Sequence, residues 1–182
     1  MLLSDGELKL AIARGELIID PPLAEDSDQF KAASIDLRLG RSIWTQKEPH
    51  DGEPDGGAIN DLSEAGFHQY MANYTQQTDI VPTGGFLLRP GDFIITETLE
   101  RVHLSRLLSG RVEGRSRLAR MGVGVHLTAP KIDPGFDSHI TLELFHLGKR
   151  PVFLQYQASI CTLPIERLGM PSGSPYEGMF NI

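Results

Sequence analysis

The sequence contains a single cysteine, Cys161, among its 182 residues, so no disulfide can form within the chain. A protein without internal disulfides suits a reducing compartment, and we therefore expect a cytoplasmic location. No apolar run approaches the roughly 20 residues that a membrane helix needs, which predicts no membrane partner. The opening stretch MLLSDGELKL also lacks the basic start and apolar core of a secretory signal.

Positive charge is also scarce, because 17 Lys and Arg residues face 24 Asp and Glu residues, giving a net charge of −7. A general nucleic-acid binder needs a basic surface, so we expect no nucleic-acid partner. Six arginines nevertheless fall within about twenty residues of one another. They are Arg101, Arg106, Arg111, Arg115, Arg117 and Arg120. This clustering favours a local anion site, although a solvated basic face explains it equally well.

The N-terminal region carries the signature of one short helix. Ser4 and Glu7 have the spacing of a capping box, and Leu8, Ile12 and Leu17 follow as its apolar residues. The segment 33–39 then alternates, with Ile35, Leu37 and Leu39 on one face and Ser34, Asp36 and Arg38 on the other. This alternation predicts a strand with one polar face.

Further apolar or alternating runs predict short strands at 85–88, 93–96, 123–127, 139–145 and 151–154. Residues 46–79 are polar and weakly patterned, and we interpret them as an extended loop without chemistry. Strands spaced about ten residues apart, without βαβ alternation, predict an all-β barrel or sandwich with one or two short helices. The length fits a single domain over 1–182.

Residues 114–122 (GRSRLARMG) read as a short helix between two glycines. Ser116 can cap this helix, and Gly122 can take the left-handed position after it. A helix start offers free N–H groups that suit a phosphate, and Arg115 and Arg117 add charge beside it. A surface helix with exposed arginines is the alternative.

Two carboxylates in the following segments are candidates for chemistry. Asp133 lies in the turn Ile132-Asp133-Pro134-Gly135, where a fixed carboxylate could accept a hydroxyl proton from a sugar. In HITLEL, Ile140, Leu142 and Leu144 share one strand face, and Glu143 lies on the opposite face. A glutamate there usually faces solvent, but in a partly buried cleft it could shuttle protons.

The segments GRSRLARMGVGVH, TAPKIDPGF and HITLEL, in this order, resemble the motifs of the dCTP deaminase family. ASIDLRLG at 33–40 and PGDFIITETLE at 90–100 are also similar, and the resemblance extends to about residue 168. The family belongs to the dCTP deaminase/dUTPase superfamily. The resemblance implies a distorted β-barrel of the dUTPase-like type, homotrimers with active sites between subunits, and hydrolysis of dCTP to dUTP.

The resemblance also implies roles for individual residues. Glu143 matches the catalytic base that activates a water, and Ser116 and Arg120 match residues that position the water and the base. The remaining matches bind substrate, and they are Arg115 and Arg117 at the phosphates, Thr128 and Ala129 at the pyrimidine edge, Asp133 at the 3′-OH, Phe136 near the 2′ position, and Tyr176 in the closing tail.

Zinc chemistry is not expected from this sequence. Zinc deaminases need His/Cys-x-Glu together with Pro-Cys-x-x-Cys. The chain has one cysteine, and none of its six histidines precedes x-Glu. His139 and His146 would face opposite sides of one strand, so structural or solvent roles are expected for them. We therefore predict zinc-independent chemistry without a protein metal site, and Mg²⁺ bound through the substrate phosphates.

Two departures from the family pattern leave alternatives open. Arg117 replaces a serine that binds phosphate, and Met179 stands where the family tail has a lysine. The substrate could then carry fewer phosphates, or Arg117 could compensate. The alternatives are a bifunctional enzyme that continues to dUMP, a plain dUTPase, which would leave Glu143 without a task, and a non-catalytic nucleotide-binding or regulatory module.

Overall fold

The N-terminal helix α1 spans Asp5–Ala13 in the computed structural model, which describes residues 1–49 and 61–176. Ser4 and Glu7 form the expected capping box, and Leu8 lies fully buried on the inner face of the helix. Leu17 does not belong to the helix as predicted. Gly15, at φ +67°, ends the helical path, so Leu17 begins the first strand instead.

The other elements of the described residues are mostly strands, together with two more short helices. The strands are β1 (Leu17–Asp20), β2 (Phe30–Lys31), β3 (Ser34–Gln46), β4 (Thr75–Asp79), β5 (Gly85–Leu88), β6 (Phe93–Leu104), β7 (Leu108–Arg111), β8 (Glu113–Gly114), β9 (Val123–Gly124), β10 (Lys131–Ile132), β11 (Asp137–His146), β12 (Val152–Gln155), β13 (Ser159–Leu163) and β14 (Ile165–Arg167). The helices are α2 (Glu64–Tyr74) and α3 (Ser116–Arg120). None of these helices is long and apolar enough to cross a membrane.

Every pairing between the described strands is antiparallel. The largest sheet follows the order β8-β13-β3-β6-β11-β9, with β1 on β6 and with β2 and β4 on β3. The register shifts between Leu39 and Ile43 and again between His139 and Thr141. Such irregularities bend strands, which allows a sheet to curl. The predicted distorted β-barrel is confirmed, and it is nearly closed.

The barrel interior is filled from the alternating inner faces of β6 and β11. Ile140, Leu142 and Leu144 point inward and are essentially inaccessible to solvent, as their alternation predicts. Each fully buried side chain of this kind contributes roughly 1.5–3 kcal/mol from apolar burial. The intervening residues of β11 are half-buried or exposed, so the strand presents a second face that includes Glu143.

The predicted strand with one polar face is confirmed in β3, although Asp36 on that face is only 4% exposed. The prediction for the segment that follows is wrong. The expected loop at 46–79 contains α2, capped by Ser63, and β4, which pairs with the second half of β3. The strand β4 (TQQTD) lacks apolar alternation because only Thr75 is buried, so the sequence carries no strand signal there. Residues 50–60 lie outside the described ranges.

Candidate active site

The helix α3 follows β8 after a single intervening residue, Arg115. Arg115 takes the N-cap position with an extended backbone (φ −85°, ψ 130°), and among the described residues no side chain caps the helix. The prediction that Ser116 is the cap is therefore wrong, because Ser116 is already the first helical residue. Gly122 does take the expected left-handed conformation after the helix, at φ +89°.

The polar side chains of α3 face solvent, whereas Leu118 packs against the core. No residue of α3 is buried, and Ser116, Arg117 and Arg120 are all exposed. Within the described part of the chain, neither Arg117 nor Arg120 has a carboxylate within ion-pair distance. These two guanidinium groups are therefore available to an anionic ligand.

Arg115 differs from these two arginines because it turns back toward the barrel. Its Nη1 forms an ion pair with Oδ2 of Asp36 on β3. The Nζ of Lys31 lies 3.5 Å from the same oxygen. Sequence reasoning assigned no role to Asp36. The only feature of the sequence that points to Asp36 is its position between Ile35 and Leu37, which are both fully buried.

The three remaining arginines of the cluster have partners of their own. Arg101, Arg106 and Arg111 bond, in that order, to the Asp137 carboxylate at 2.7 Å, to the carbonyl of Ser172, and to the Glu113 and Glu166 carboxylates at 3.8 and 3.6 Å. Fewer of the six clustered arginines are therefore free to bind an anion than the sequence suggests. The arginines of the cluster whose charge can serve a ligand are therefore Arg117 and Arg120 on α3, together with Arg115, which is held beside the start of the helix.

Glu143 occupies the outward face of β11, opposite Ile95 on β6. It is half-buried and shares its face with half-buried Phe145. The backbone N–H of Leu127 donates to Oε2 of Glu143 over 3.4 Å, at the long end of hydrogen-bond range. This contact places the carboxylate against the loop that follows β9.

The predicted pyrimidine-binding residues lie in that same loop. Thr128 and Ala129 come directly after Leu127, and both are exposed. The structure therefore brings them next to Glu143. The predicted strand 123–127 is shorter than expected, because only Val123 and Gly124 pair with β11 before the chain leaves the sheet.

Asp133 and Phe136 are the ends of a tight turn. The Phe136 N–H donates to the Asp133 carbonyl at 3.1 Å, with Pro134 and Gly135 between them. Gly135 has φ +89°, the conformation of the third residue of a type II turn, in which proline is common at the second position. The Asp133 carboxylate pairs with Lys131 Nζ at 2.6 Å. The turn thus holds Asp133 half-exposed beside a cation.

Tyr176 folds back over this turn. Its N–H donates to the Pro134 carbonyl at 2.7 Å, and its ring lies 5.7 Å from the Phe136 ring. The structure therefore brings together three of the predicted substrate-binding residues, Asp133, Phe136 and Tyr176. Met179, the departure noted in the tail, lies outside the described residues.

The segment that carries α3 runs beside the loop at Glu143. Val112, just before β8, donates its N–H to the Pro130 carbonyl at 2.7 Å. Yet across residues 1–49 and 61–176 no hydrogen bond or ion pair joins Glu143 to Ser116, Arg117 or Arg120. One chain therefore presents the predicted catalytic residues in two groups, one on α3 and one at β11.

The contacts of Cys161, His139 and His146 indicate structural roles for these side chains. Burial raises the pKa of the Cys161 thiol, and the carboxylates of Glu100 and Asp36 raise it further. His139 and His146 face opposite sides of β11 as predicted, and each contacts a backbone carbonyl, that of Thr98 and that of Arg150. The described residues contain no group of three His, Cys, Asp or Glu side chains that could hold a metal ion.

The fold is one shared by solved dCTP deaminase and dUTPase structures. A dCTP deaminase from Agrobacterium tumefaciens superposes with a TM-score of 0.67 and 21% identity over 92% of this chain and 48% of that chain. This chain thus spans about half the length of that protein. A dUTPase of Staphylococcus bacteriophage 80α superposes with a TM-score of 0.51 and 9% identity, covering 89% of this chain and 96% of that one.

Sequence comparison narrows this class to one family. A family described as dCTP deaminase-like matches residues 2–168, so the chain belongs to the dCTP deaminase-like family. A "dCTP deaminase, dUMP-forming" of Methanosphaera stadtmanae is 35% identical over 96% of this chain and 83% of the relative. A "dCTP deaminase" of Rhodospirillum rubrum is 37% identical over 97% of this chain and 87% of the relative.

Proposed function

We propose that this protein catalyses the zinc-independent, hydrolytic deamination of dCTP to dUTP. The observation that carries the proposal is the half-buried Glu143, bonded through Oε2 to the Leu127 N–H and adjacent to the exposed Thr128 and Ala129. A base for proton transfer must lie beside the group that recognises the reacting ring. Family membership and the names of the dCTP deaminase relatives support the same reaction.

Glu143 acts as the proton carrier in this proposal. Its carboxylate accepts a proton from a water molecule as the water oxygen bonds to C4 of the cytosine. The protonated carboxyl then delivers that proton to the amino nitrogen, the C4–N bond breaks, and ammonia leaves. The proton left on the new C4 hydroxyl moves to N3, which gives the uracil ring. Atoms balance, because dCTP and water give dUTP and ammonia. The Leu127 N–H fixes one carboxylate oxygen, which orients the other toward the water.

Ser116 and Arg120 supply the polar contacts of the intermediate. Their exposure on α3 makes the hydroxyl and the guanidinium accessible to a ligand. A hydroxyl can hold the attacking water, and a guanidinium can stabilise negative charge that develops on the ring. Arg115 and Arg117, at the start of the same helix, bind the phosphates by charge-assisted hydrogen bonds.

The turn at Asp133 binds the sugar in this proposal. The Asp133 carboxylate accepts a hydrogen bond from the 3′-OH, and Lys131 Nζ at 2.6 Å orients the carboxylate. The Phe136 ring, which is 7% exposed and packed against Tyr176, crowds the 2′ position. A ring there disfavours a ribose 2′-OH, which makes the substrate a deoxynucleotide.

Magnesium enters this proposal only with the nucleotide. When bound, Mg²⁺ neutralises charge on the triphosphate oxygens. Asp36, the buried carboxylate that contacts Arg115, already pairs through Oδ2 with Arg115 and Lys31. The proposed Mg²⁺ ligands are therefore phosphate oxygens and water.

A second candidate is the bifunctional reaction that continues to dUMP and pyrophosphate. The M. stadtmanae relative is named a "dUMP-forming" dCTP deaminase, which favours this bifunctional reaction. Asp133 would then orient a second water for attack at the α-phosphorus. The half-exposed Asp133 carboxylate is compatible with either role.

We further propose a single cytoplasmic domain that assembles as a homotrimer. The catalytic residues stand in two groups on one chain, so a neighbouring subunit would bring the α3 group to the β11 group. The single cysteine, buried at Cys161, suits a reducing compartment.

Incubation with dCTP, dCMP or dUTP in the presence of Mg²⁺, with ammonia and pyrophosphate measured separately, tests these assignments. Ammonia from dCTP without pyrophosphate supports the deaminase, and both products support the bifunctional enzyme. Pyrophosphate from dUTP alone indicates a dUTPase. Nucleotide binding without any product indicates a regulatory module and would refute the proposed catalysis. Activity that survives zinc chelation but falls without Mg²⁺ supports the metal assignment.

A further inference from the structure

A buried polar network lies behind the start of α3, on the barrel side. Asp36 is 4% exposed and Glu100 is fully buried. Glu100 accepts hydrogen bonds from the Arg38 side chain at 2.6 Å and from Gln29 Nε2 at 3.0 Å. Buried carboxylates are tolerated only when ion pairs and hydrogen bonds replace their hydration. For Asp36 those partners are Arg115 and Lys31.

The two partners of Asp36 are not equivalent. The Lys31 side chain is 44% exposed and 3.5 Å away, so its flexible end reaches into solvent. The Arg115 side chain is only 20% exposed and contacts Asp36 directly. Because a guanidinium carries five N–H donors, the Nη1 contact still leaves other donors for a ligand. Asp36 therefore determines where the Arg115 side chain points.

The position of Asp36 is itself fixed by the sheet. Its backbone N–H donates to the Gln29 carbonyl at 2.8 Å, and its carbonyl accepts from Gln29 Nε2 at 2.8 Å. It pairs in register with Thr162 on β13, the strand between β3 and β8. Arg115 follows β8, so its side chain reaches past β13 to Asp36. A carboxylate held on a central strand is a rigid anchor.

We propose that Asp36 is a positioning residue that holds Arg115 in place for the substrate phosphates. The inference rests on the phosphate-binding role given to Arg115 under the proposed function. An unanchored arginine loses rotamer freedom when it binds an anion, and an arginine already held in place loses less. Lys31 offsets part of the Asp36 charge, so the pair with Arg115 retains attraction for phosphate.

Four variants test this role through kcat and KM for dCTP and through calorimetric binding of dCTP. Arg115→Ala should weaken dCTP binding by about tenfold to a hundredfold. Asp36→Ala should raise KM and the dissociation constant by about tenfold while changing kcat by less than about threefold. Asp36→Asn should lie between wild type and Asp36→Ala, because an amide oxygen still accepts a hydrogen bond. The double variant Asp36→Asn/Arg115→Ala should bind no more weakly than Arg115→Ala alone.

Glu100→Gln is the matched control, since it alters the other buried carboxylate of the network without touching Arg115. It should lower the unfolding temperature and leave KM unchanged. Equal KM increases in Glu100→Gln and Asp36→Asn, or additive effects in the double variant, would overturn the positioning role. If Arg115→Ala binds dCTP as wild type does, the phosphate role of Arg115 fails and the inference fails with it. If wild type binds dCTP without turnover, the proposed catalysis fails, and the binding comparison still tests Asp36.

Discussion

Arg117 and Arg120 lack a hydrogen-bond or ion-pair partner for their guanidinium groups among the described residues, whereas Arg101, Arg106, Arg111 and Arg115 each have one. In a protein of net charge −7, these two groups remain as unpaired positive charge on α3. The ion pairs of Arg101, Arg111 and Arg115 use those charges within the fold. Whether an arginine can bind a ligand therefore depends on the partner that its side chain has in the fold, and less on its position in a sequence cluster.

Replacing Glu143 with glutamine tests the proposed proton carrier. The amide keeps the shape and the contact with the Leu127 N–H, but it cannot accept the proton from water. We expect the fold and dCTP binding to survive while deamination falls by about 10²–10⁴ or more. Rates of ammonia release together with calorimetric titration measure both quantities. A variant that retains activity within a few-fold of wild type would rule out Glu143 as the base.

The substitution Arg117→Ser tests the role of the arginine that replaces the family's serine at the second position of α3. If the exposed Arg117 guanidinium binds phosphate, the change should weaken dCTP binding by about 1.5–3 kcal/mol, or about ten- to a hundredfold. The loss should be smaller for dCMP and at higher ionic strength, because exposed charges are screened by salt. Titrations with dCTP and dCMP at two salt concentrations provide the comparison.

Arg111→Ser is the control for this experiment, because Arg111 is exposed but paired with Glu113 and Glu166. Its nucleotide affinity should match that of wild type. Improved dCTP turnover in Arg117→Ser would instead mark Arg117 as a block to dCTP, with a different natural substrate. Unchanged affinity for both nucleotides would place Arg117 outside the site.

At the scale of elements, α3 depends on the turn after β11 for its position. Leu147 donates its N–H to the Gly122 carbonyl at 2.8 Å, so the end of the helix is tied to that turn. A Cβ atom at Gly122 would lie 2.4 Å from the Gly148 nitrogen. The two backbones are therefore in direct contact, and the placement of Arg120 follows from this contact.

Gly122→Ala should break this attachment, and Gly84→Ala is its control. Both glycines have positive φ, at +89° and +73°, but a Cβ at Gly84 would meet nothing within 4 Å. The free energy of unfolding should fall by roughly 1–2 kcal/mol for Gly84→Ala, from backbone strain alone. Gly122→Ala should lose about 3 kcal/mol or more, and kcat should fall as Arg120 moves. Urea denaturation and initial rates measure both effects, and equal losses in the two variants would contradict the contact.

The elements that the sequence predicts best are those whose signals are local. The capping box at Ser4, the alternation around Glu143 and the turn at Asp133 each depend on neighbouring residues, and all three are found. β4 and the burial of Asp36 depend on pairing with distant strands or side chains, so local patterns do not reveal them. The cap of α3 shifted by one residue because the extended Arg115 takes that position.

At the scale of the whole molecule, one chain leaves surfaces that a neighbour would cover. In the five-residue helix α3 only Leu118 packs against the core, and Ser116, Arg117, Ala119 and Arg120 are exposed. Two apolar side chains are also exposed, Leu127 at 54% in the loop beside Glu143 and Leu147 at 80% in the turn after β11. Large exposed apolar side chains are common in interfaces between subunits. These features support the proposed homotrimer, with α3 against the Glu143 face of a neighbour.

Sedimentation velocity should therefore give the mass of three chains in an active sample, and complementation should locate the shared sites. Chains carrying Glu143→Gln and chains carrying Arg120→Ala should each be inactive alone. When they are co-expressed in equal amounts, about one quarter of the sites in a cyclic trimer should combine an intact glutamate with an intact arginine. Deamination at about a quarter of the wild-type rate is thus expected. Recovery requires that the glutamate and the arginine of one site come from different subunits. If both came from the same chain, every site would contain one of the two substitutions and would remain inactive. Absence of recovery from a co-purified mixed trimer would contradict shared sites, and an active monomer would contradict the assembly.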